Sequence, residues 1–342
     1  MNTLLAIGLG YSAKEIAARL TSSPLPVGEV GAPRRVRGLE ARGNDGGPSP
    51  QPSPKSERLS LTLKVHDGRG SDNWRIIGTS RDSEGVAAIE ALGHDAVSFS
   101  GNAPSPALAQ AIAEATHLLH SAPPSADGDP LLIHHEADLA AAPHLEWIGY
   151  LSTIGVYGDT GGAWVDETTP PNPGSERSKQ RWATEQAWMA FAARRDVTLQ
   201  IFRLAGIYGP GRNALERLRE GREKRIDKPD QVFNRIHRDD IAATVIAGIR
   251  AGRAATGVFN VTDDEPAPPQ DVVTYAAELL GVEPPPLIPW EEAQKDMTPM
   301  ARSFYIETKR VRNGRIKDEL GVELMYPTYR EGLVAFTRDS RR

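Results

Sequence analysis

Short apolar runs alternate with amphipathic stretches along most of the chain. Thr3–Gly8, Trp74–Gly78, Ala96–Phe99, His117–His120, Trp147–Ser152 and Thr198–Arg203 read as strands. Between them, Ser12–Leu20, Glu84–Leu92, Pro106–Ala115, Pro130–Ala141 and Glu176–Arg194 carry helical spacing. Strand–helix repetition of this kind predicts βαβ units on a parallel sheet, an α/β doubly wound fold. After Gly211 the pattern loosens. Gly257–Val261 still reads as a strand and Gln270–Leu280 as a helix. We therefore expect a parallel-sheet domain over 1–211 and a mixed region over 212–342. The latter returns partly to the sheet and forms a smaller lobe.

Composition interrupts the pattern once. Residues 21–73 number 53, of which 15 are Gly or Pro, with Ser-Pro repeats and clustered arginines. Such a segment buries too little apolar surface to offset chain entropy, and a disordered or loosely attached insertion is expected. Its wording resembles translated palindromic repeats inserted in bacterial genes.

Charge and cysteine content narrow the function. The chain has 342 residues, a formal charge of −5 and no cysteine. Disulfides, thiolate metal sites and cysteine nucleophiles are excluded. The net charge gives no general attraction to nucleic acid or anionic membrane. No apolar stretch approaches the ~20 residues of a membrane span. The apolar start, Met1–Gly10, lacks a basic flank and is followed by Lys14-Glu15. It reads as a buried first strand rather than a signal peptide, and a cytoplasmic protein is expected.

The first strand leads into Gly8-Leu9-Gly10-Tyr11-Ser12-Ala13 and then a helix. The form is G-x-G-x-x-A. The first glycine permits the tight turn, the second lets a pyrophosphate approach, and Ala13 is small enough for helix–strand packing. Free N–H groups at the helix start favour the anion. With the insertion set aside, Arg81 falls 20 positions after Gly8, where the adenosine ribose is read. Thr79, Ser80 and Arg81 suit a 2′-phosphate, hence NADP, while the next residue, Asp82, keeps NAD open.

These motifs continue as Leu119-His120-Ser121-Ala122, Ser152–Gly158, Lys179, Arg203–Gly211, Arg235–Asp240 and Phe259-Asn260-Val261. The series resembles the extended short-chain dehydrogenase/reductases, the NAD-dependent epimerase/dehydratase group, over nearly the whole chain outside the insertion. The segment Val156–Asp159 and the ending Leu320–Leu333 look most like its atypical YeeZ-type subgroup. The resemblance implies a Rossmann-type sheet and NAD(P) binding by Gly8, Gly10, Tyr11, Ser12, Ala13, Thr79, Ser80, Arg81, Ser121, Ala122 and Lys179. It also implies a catalytic set of Thr153, a tyrosine and Lys179.

The tyrosine is missing, and Ser175 stands in its place. A phenol, with an ordinary pKa near ~10, exchanges protons with a substrate oxygen far more readily than a serine hydroxyl does. Ser175 is expected to cap the helix that follows it, with a catalytic role as the lesser reading. Tyr157 and Tyr208 read as structural, and His237 as a backbone tie. Asp166-Glu167 and the doublet His134-His135 read as solvated, so no metal site is expected. His117 and His120 read as satisfied core or rim positions. Arg212, Arg302 and Arg310 are candidates for an anionic substrate group.

Two functions follow from the sequence. One is an NADP-preferring oxidoreductase or epimerase-like enzyme acting on a nucleotide-sugar or related polar metabolite, in the family manner a homodimer. The other is a dinucleotide-binding sensor or scaffold that lost turnover with its tyrosine.

Overall fold

The computed structural model describes residues 1–22 and 73–339. The expected insertion therefore lies outside the described residues, apart from its first two positions and its last.

Seven strands form one parallel sheet: β1 (Asn2–Ile7), β2 (Trp74–Ser80), β3 (Asp95–Ser98), β4 (His117–His120), β5 (Trp147–Thr153), β6 (Thr198–Leu204) and β7 (Gly257–Val261). Their spatial order is β7-β6-β5-β4-β1-β2-β3. The helices of eight or more residues are α1 (Tyr11–Thr21), α2 (Ser83–Glu90), α3 (Pro106–Glu114), α4 (Pro130–Ala141), α5 (Glu176–Arg195), α6 (Arg238–Ala251), α7 (Pro269–Leu280) and α8 (Tyr329–Asp339).

Side chains two apart on a strand share a face, and β1 shows this directly. Leu4 and Ala6 join Ile16 of α1 and Ile241 and Val245 of α6 in one core layer. Leu5 and Ile7 join Leu108, Leu131 and Trp188 of α3, α4 and α5 in the other. All four β1 residues are fully or almost fully buried. At about 1.5–3 kcal/mol for each large apolar side chain, this strand anchors both layers.

Sheet order decides where a ligand fits. From β1 the chain steps outward through β2 and β3, then returns to place β4 on the other side of β1. Helices packed on opposite faces diverge there, and the carboxyl ends of β1 and β4 border a crevice. Gly8 and Ser121 follow those two ends.

Outside the main sheet, three two-stranded pairings carry further segments: Gly206–Tyr208 with Arg235–His237, Arg225–Asp227 with Leu287–Pro289, and Trp164–Val165 with Arg310–Val311. The last runs the chain end back alongside the loop that precedes α5. Among the described residues no helix is long and apolar enough to cross a membrane.

Two expectations are corrected here. His135 is buried rather than solvated: its Nε2 accepts the Ser105 N–H at 3.1 Å and its Nδ1 lies 2.7 Å from Asp138. Its φ of −136° breaks the α4 helix, so helical spacing did not govern where the ring points. Glu167 is half-buried, accepts the Asn260 N–H at 2.8 Å, and is pushed up from the usual carboxylate range by desolvation. Asp166 instead closes its own turn, accepting from the Thr168 N–H and hydroxyl.

Candidate functional site

Gly8 turns the chain out of β1 with φ +77°, a conformation open to glycine and strained for other residues. Its N–H donates to Thr79 Oγ1 at 2.9 Å. The Ser121 hydroxyl donates to the Gly8 carbonyl and, at 3.2 Å, to that of Ile7. The turn is thus held from β2 on one side and from the end of β4 on the other. A Cβ on Gly8 would stand 3.3 Å from the Ala122 nitrogen, whereas one on Gly10 would meet only the Gly8 carbonyl at 3.9 Å. The space over Gly10 is open.

Helix α1 begins at Tyr11, and its first N–H groups have no carbonyl a turn earlier to bond. Ser12 is buried and its Oγ has no hydrogen-bond partner. A buried, unanswered hydroxyl at a helix start beside an open glycine fits a pyrophosphate oxygen. Tyr11 reaches across the cleft: its hydroxyl donates to the Pro210 carbonyl at 2.8 Å, and the Arg238 guanidinium lies over its ring.

The end of β2 divides its labour. Thr79 is buried and points into the Gly8 turn, so its hydroxyl serves the loop. Ser80 packs against Gly85. Asp82 caps α2 by accepting the Gly85 N–H at 2.7 Å. Arg81 is exposed, and among the described residues no side chain pairs with it.

A second group of hydroxyls lies where β5 meets α5. Thr153 Oγ1 accepts the Gly155 N–H at 3.1 Å. A Cβ on Gly155 would lie 2.9 Å from Ser178 Oγ and 3.3 Å from Thr153 Oγ1, which places these two residues against one glycine. Ser175 caps α5, accepting the Ser178 N–H at 3.2 Å and donating to Ser178 Oγ at 2.9 Å. Lys179 sits one turn on, exposed and paired with Glu176 at 2.6 Å.

The structural tyrosines and histidines have separate partners. Tyr157 OH donates to Asn260 at 2.8 Å, and burial raises its pKa. Tyr208 OH donates to the Thr328 carbonyl at 3.4 Å. His237 caps α6 through the Asp239 N–H at 3.1 Å, and burial lowers its imidazole to about 4. Buried His120 and Asp129 pair at 2.8 Å. Among the described residues no group of His, Asp and Glu is placed to hold a metal ion.

Three features around these hydroxyls escaped the motifs. Arg181 ties α5 to the crevice, donating to Tyr150 OH at 2.9 Å and to the Leu151 and Ala122 carbonyls at 3.1 and 3.5 Å. Glu185 and Arg203 form a buried bidentate pair that also receives the Ser152 hydroxyl. Lys309 and Glu307 pair at 2.7 Å beside Gly174. Arg181 and Glu185 lie on the helix of Lys179, so a search along that helix reaches them. Lys309 lies more than a hundred residues away from it and carried no such signal.

No family model matches the chain. A functionally unknown conserved protein from Silicibacter pomeroyi is 42% identical, covers 100% of both chains and superposes with a TM-score of 0.76. Protein YeeZ of Escherichia coli is 28% identical over 74% of this chain and 88% of its own length. The 3-diazoavenalumate denitrifying reductase of a Streptomyces species is 25% identical over 74% of this chain and 86% of its own. The dTDP-glucose 4,6-dehydratase of Bacillus anthracis, solved with NAD, is 15% identical, with a TM-score of 0.65 over 100% of this chain and 97% of its own; it shares the fold.

Proposed function

We propose that the chain is a member of the extended short-chain dehydrogenase/reductase family, that it binds a nicotinamide dinucleotide, NADP before NAD, and that it transfers hydride to or from a polar metabolite. The Ser12 hydroxyl carries the reading: it is buried, unpartnered, and at the start of α1 beside the open face of Gly10. Gly8, Gly10, Tyr11, Ser12 and Ala13 would hold the pyrophosphate. Ser121 and Ala122 would line its path toward Thr153 and Lys179.

The preference for NADP rests on the end of β2. Asp82, the acid that would hold a free ribose hydroxyl, is engaged as the α2 cap. Arg81 is left to meet a 2′-phosphate, which a guanidinium binds in two-pronged fashion.

When bound, the nicotinamide supplies or accepts the hydride. The chain's own part is to hold the substrate oxygen against Thr153 and to manage its proton. Ser175 is already engaged with Ser178 and is too weak an acid to replace a phenol. That engagement also supports the second reading, a dinucleotide sensor without turnover. The neighbours named above, a reductase and a nucleotide-sugar dehydratase, favour a small polar substrate.

Calorimetric titration with NADP⁺, NADPH, NAD⁺ and NADH tests the proposal, repeated on Arg81→Ala. The expected result is NADP(H) bound at least tenfold more tightly than NAD(H), with that margin lost in Arg81→Ala and NAD(H) affinity retained. Failure of all four to bind would overturn both readings.

A further inference from the structure

The family's proton donor is absent, yet a shielded ion pair stands beside Gly174, the residue before its position. Lys309 Nζ lies 2.7 Å from Glu307 Oε2, and the two side chains are only 8% and 15% exposed. By contrast, Lys179 and its partner Glu176 are 54% and 80% exposed. Glu307 Oε1 lies 3.1 Å from where a Cβ on Gly174 would be, and Gly174 precedes Ser175. Ser175 bonds Ser178, which shares the Gly155 turn with Thr153, and Glu307 stands against Gly174 with Lys309 on its far oxygen.

The segment bearing the pair is fixed on both sides. The Lys309 carbonyl accepts from Asn234 Nδ2 at 3.0 Å, and Asn234 Oδ1 accepts the Val311 N–H at 2.9 Å. Gln231 Nε2 donates to the Glu307 carbonyl at 2.9 Å, and the Thr308 N–H donates to Asp159 at 2.9 Å. Desolvating an ion pair is unfavourable unless something offsets it, and apolar side chains fill such a space at less expense. A fold that needed only a fastening there would do better with them.

Acidity completes the case. In water an ammonium and a phenol ionise at nearly the same pH, about 10.4 and about 10. By type, an ammonium is far nearer a phenol in acidity than a serine hydroxyl is. We propose that Lys309, positioned by Glu307, is the catalytic proton donor of this site, an inference that rests on the dinucleotide-dependent reading above. As hydride reaches the carbonyl carbon of a substrate and forms the new C–H bond, the C=O π pair moves to oxygen. Lys309 Nζ gives that oxygen its proton, becomes a neutral amine, and regains a proton from water. In the oxidative direction the neutral amine takes the hydroxyl proton.

The placement makes a claim about binding as well as rate. An oxidised nicotinamide carries a positive charge that the reduced ring lacks, so the charges of the pair discriminate between the two forms. In Lys309→Met the ratio of the NADP⁺ to the NADPH dissociation constant should fall at least threefold. In Glu307→Gln it should rise at least threefold, and in Lys309→Arg it should stay put. A pair that only fastens the segment would move both affinities together. With NADPH and 9,10-phenanthrenequinone as the carbonyl probe, Lys309→Ala should lose about 100-fold or more in kcat. Added methylammonium should restore at least tenfold of it.

A ratio unmoved in both Lys309→Met and Glu307→Gln overturns the inference, as does a kcat loss that methylammonium leaves untouched. If the wild type binds neither nucleotide, the dinucleotide reading fails and takes this one with it. If it binds both and the ratio stays fixed, this inference alone falls. Where the wild type binds but reduces no quinone, the ratio decides.

Discussion

The Thr79 hydroxyl accepts the Gly8 N–H at 2.9 Å, so the last turn of β2 props the loop that leaves β1. Removing that acceptor from a buried position leaves the donor unanswered. Thr79→Val should lower stability by about 1–3 kcal/mol and weaken dinucleotide binding, with Thr79→Ser retaining both. Urea unfolding and calorimetric titration of the two variants give the comparison. Equal affinity in Thr79→Val and wild type would detach the prop from the site.

Gly8 and Gly10 should respond differently to the same added methyl. At Gly8 the positive φ and the Ala122 nitrogen 3.3 Å away both oppose a side chain, and Gly8→Ala should destabilise the fold. Space is open over Gly10, so Gly10→Ala should leave stability within about 0.5 kcal/mol of wild type. The same methyl would occupy the anion's approach and reduce NADP(H) affinity at least tenfold. Melting curves read beside titrations separate the effects, and an undiminished affinity in Gly10→Ala would place the pyrophosphate elsewhere.

Asp82 and Arg81 are adjacent, and their substitutions should be separable. Loss of the cap in Asp82→Ala should destabilise by about 0.5–2 kcal/mol without changing the NADP-to-NAD preference. A preference that shifts toward NADP in this variant would show the carboxylate facing the ribose after all.

The Glu185–Arg203 pair is 0% and 2% exposed. Removing one partner strands a buried charge, and Glu185→Leu should destabilise by about 3–5 kcal/mol. The double variant Glu185→Leu/Arg203→Met should recover much of that loss. Denaturant midpoints of the three proteins test this, and additive losses would show that the charges are independent.

His117 gives the fold an acid limit. Burial lowers its imidazole to about 4 from an ordinary 6.5. Between those values the unfolded chain binds a proton that the folded one refuses. Its contribution is complete above pH 6.5 and is lost as pH falls toward 4. A shift of this size corresponds to roughly 3 kcal/mol. His117 packs edge-on to Trp74, and His117→Phe keeps a ring there. Stability measured from pH 7 to pH 4 should fall less steeply in that variant; an unchanged slope would assign the acid limit to other groups, His237 foremost.

The sheet was legible because its signals are local. Alternating burial on β1, the glycines after it, and the spacing to Arg81 once residues 21–73 are set aside all lie in short stretches of sequence. The division of labour at the end of β2 was not. Thr79, Ser80, Arg81 and Asp82 all suit a ribose by type. Strand alternation turns Thr79 inward, and the start of α2 takes Asp82 as its cap. His135 misled for a related reason, since a break in α4 moved it off the face that helical spacing assigned. Lys309 was invisible because its relation to Ser175 exists only after the chain end folds back beside the loop before α5.

Strand β1 pairs with β2 and β4, and Asn2 meets Trp74 across the first of those ladders. The middle of the sheet is therefore synthesised first and completed late. At about 5–20 residues per second, roughly 4–14 s separate Asn2 from its partner during translation. Through that interval the apolar strand Leu4-Leu5-Ala6-Ile7 has neither of its pairing strands, although α1 is already made. Its nascent chain is a natural client for a chaperone, and refolding from denaturant should be limited by this long-range closure rather than by the helices.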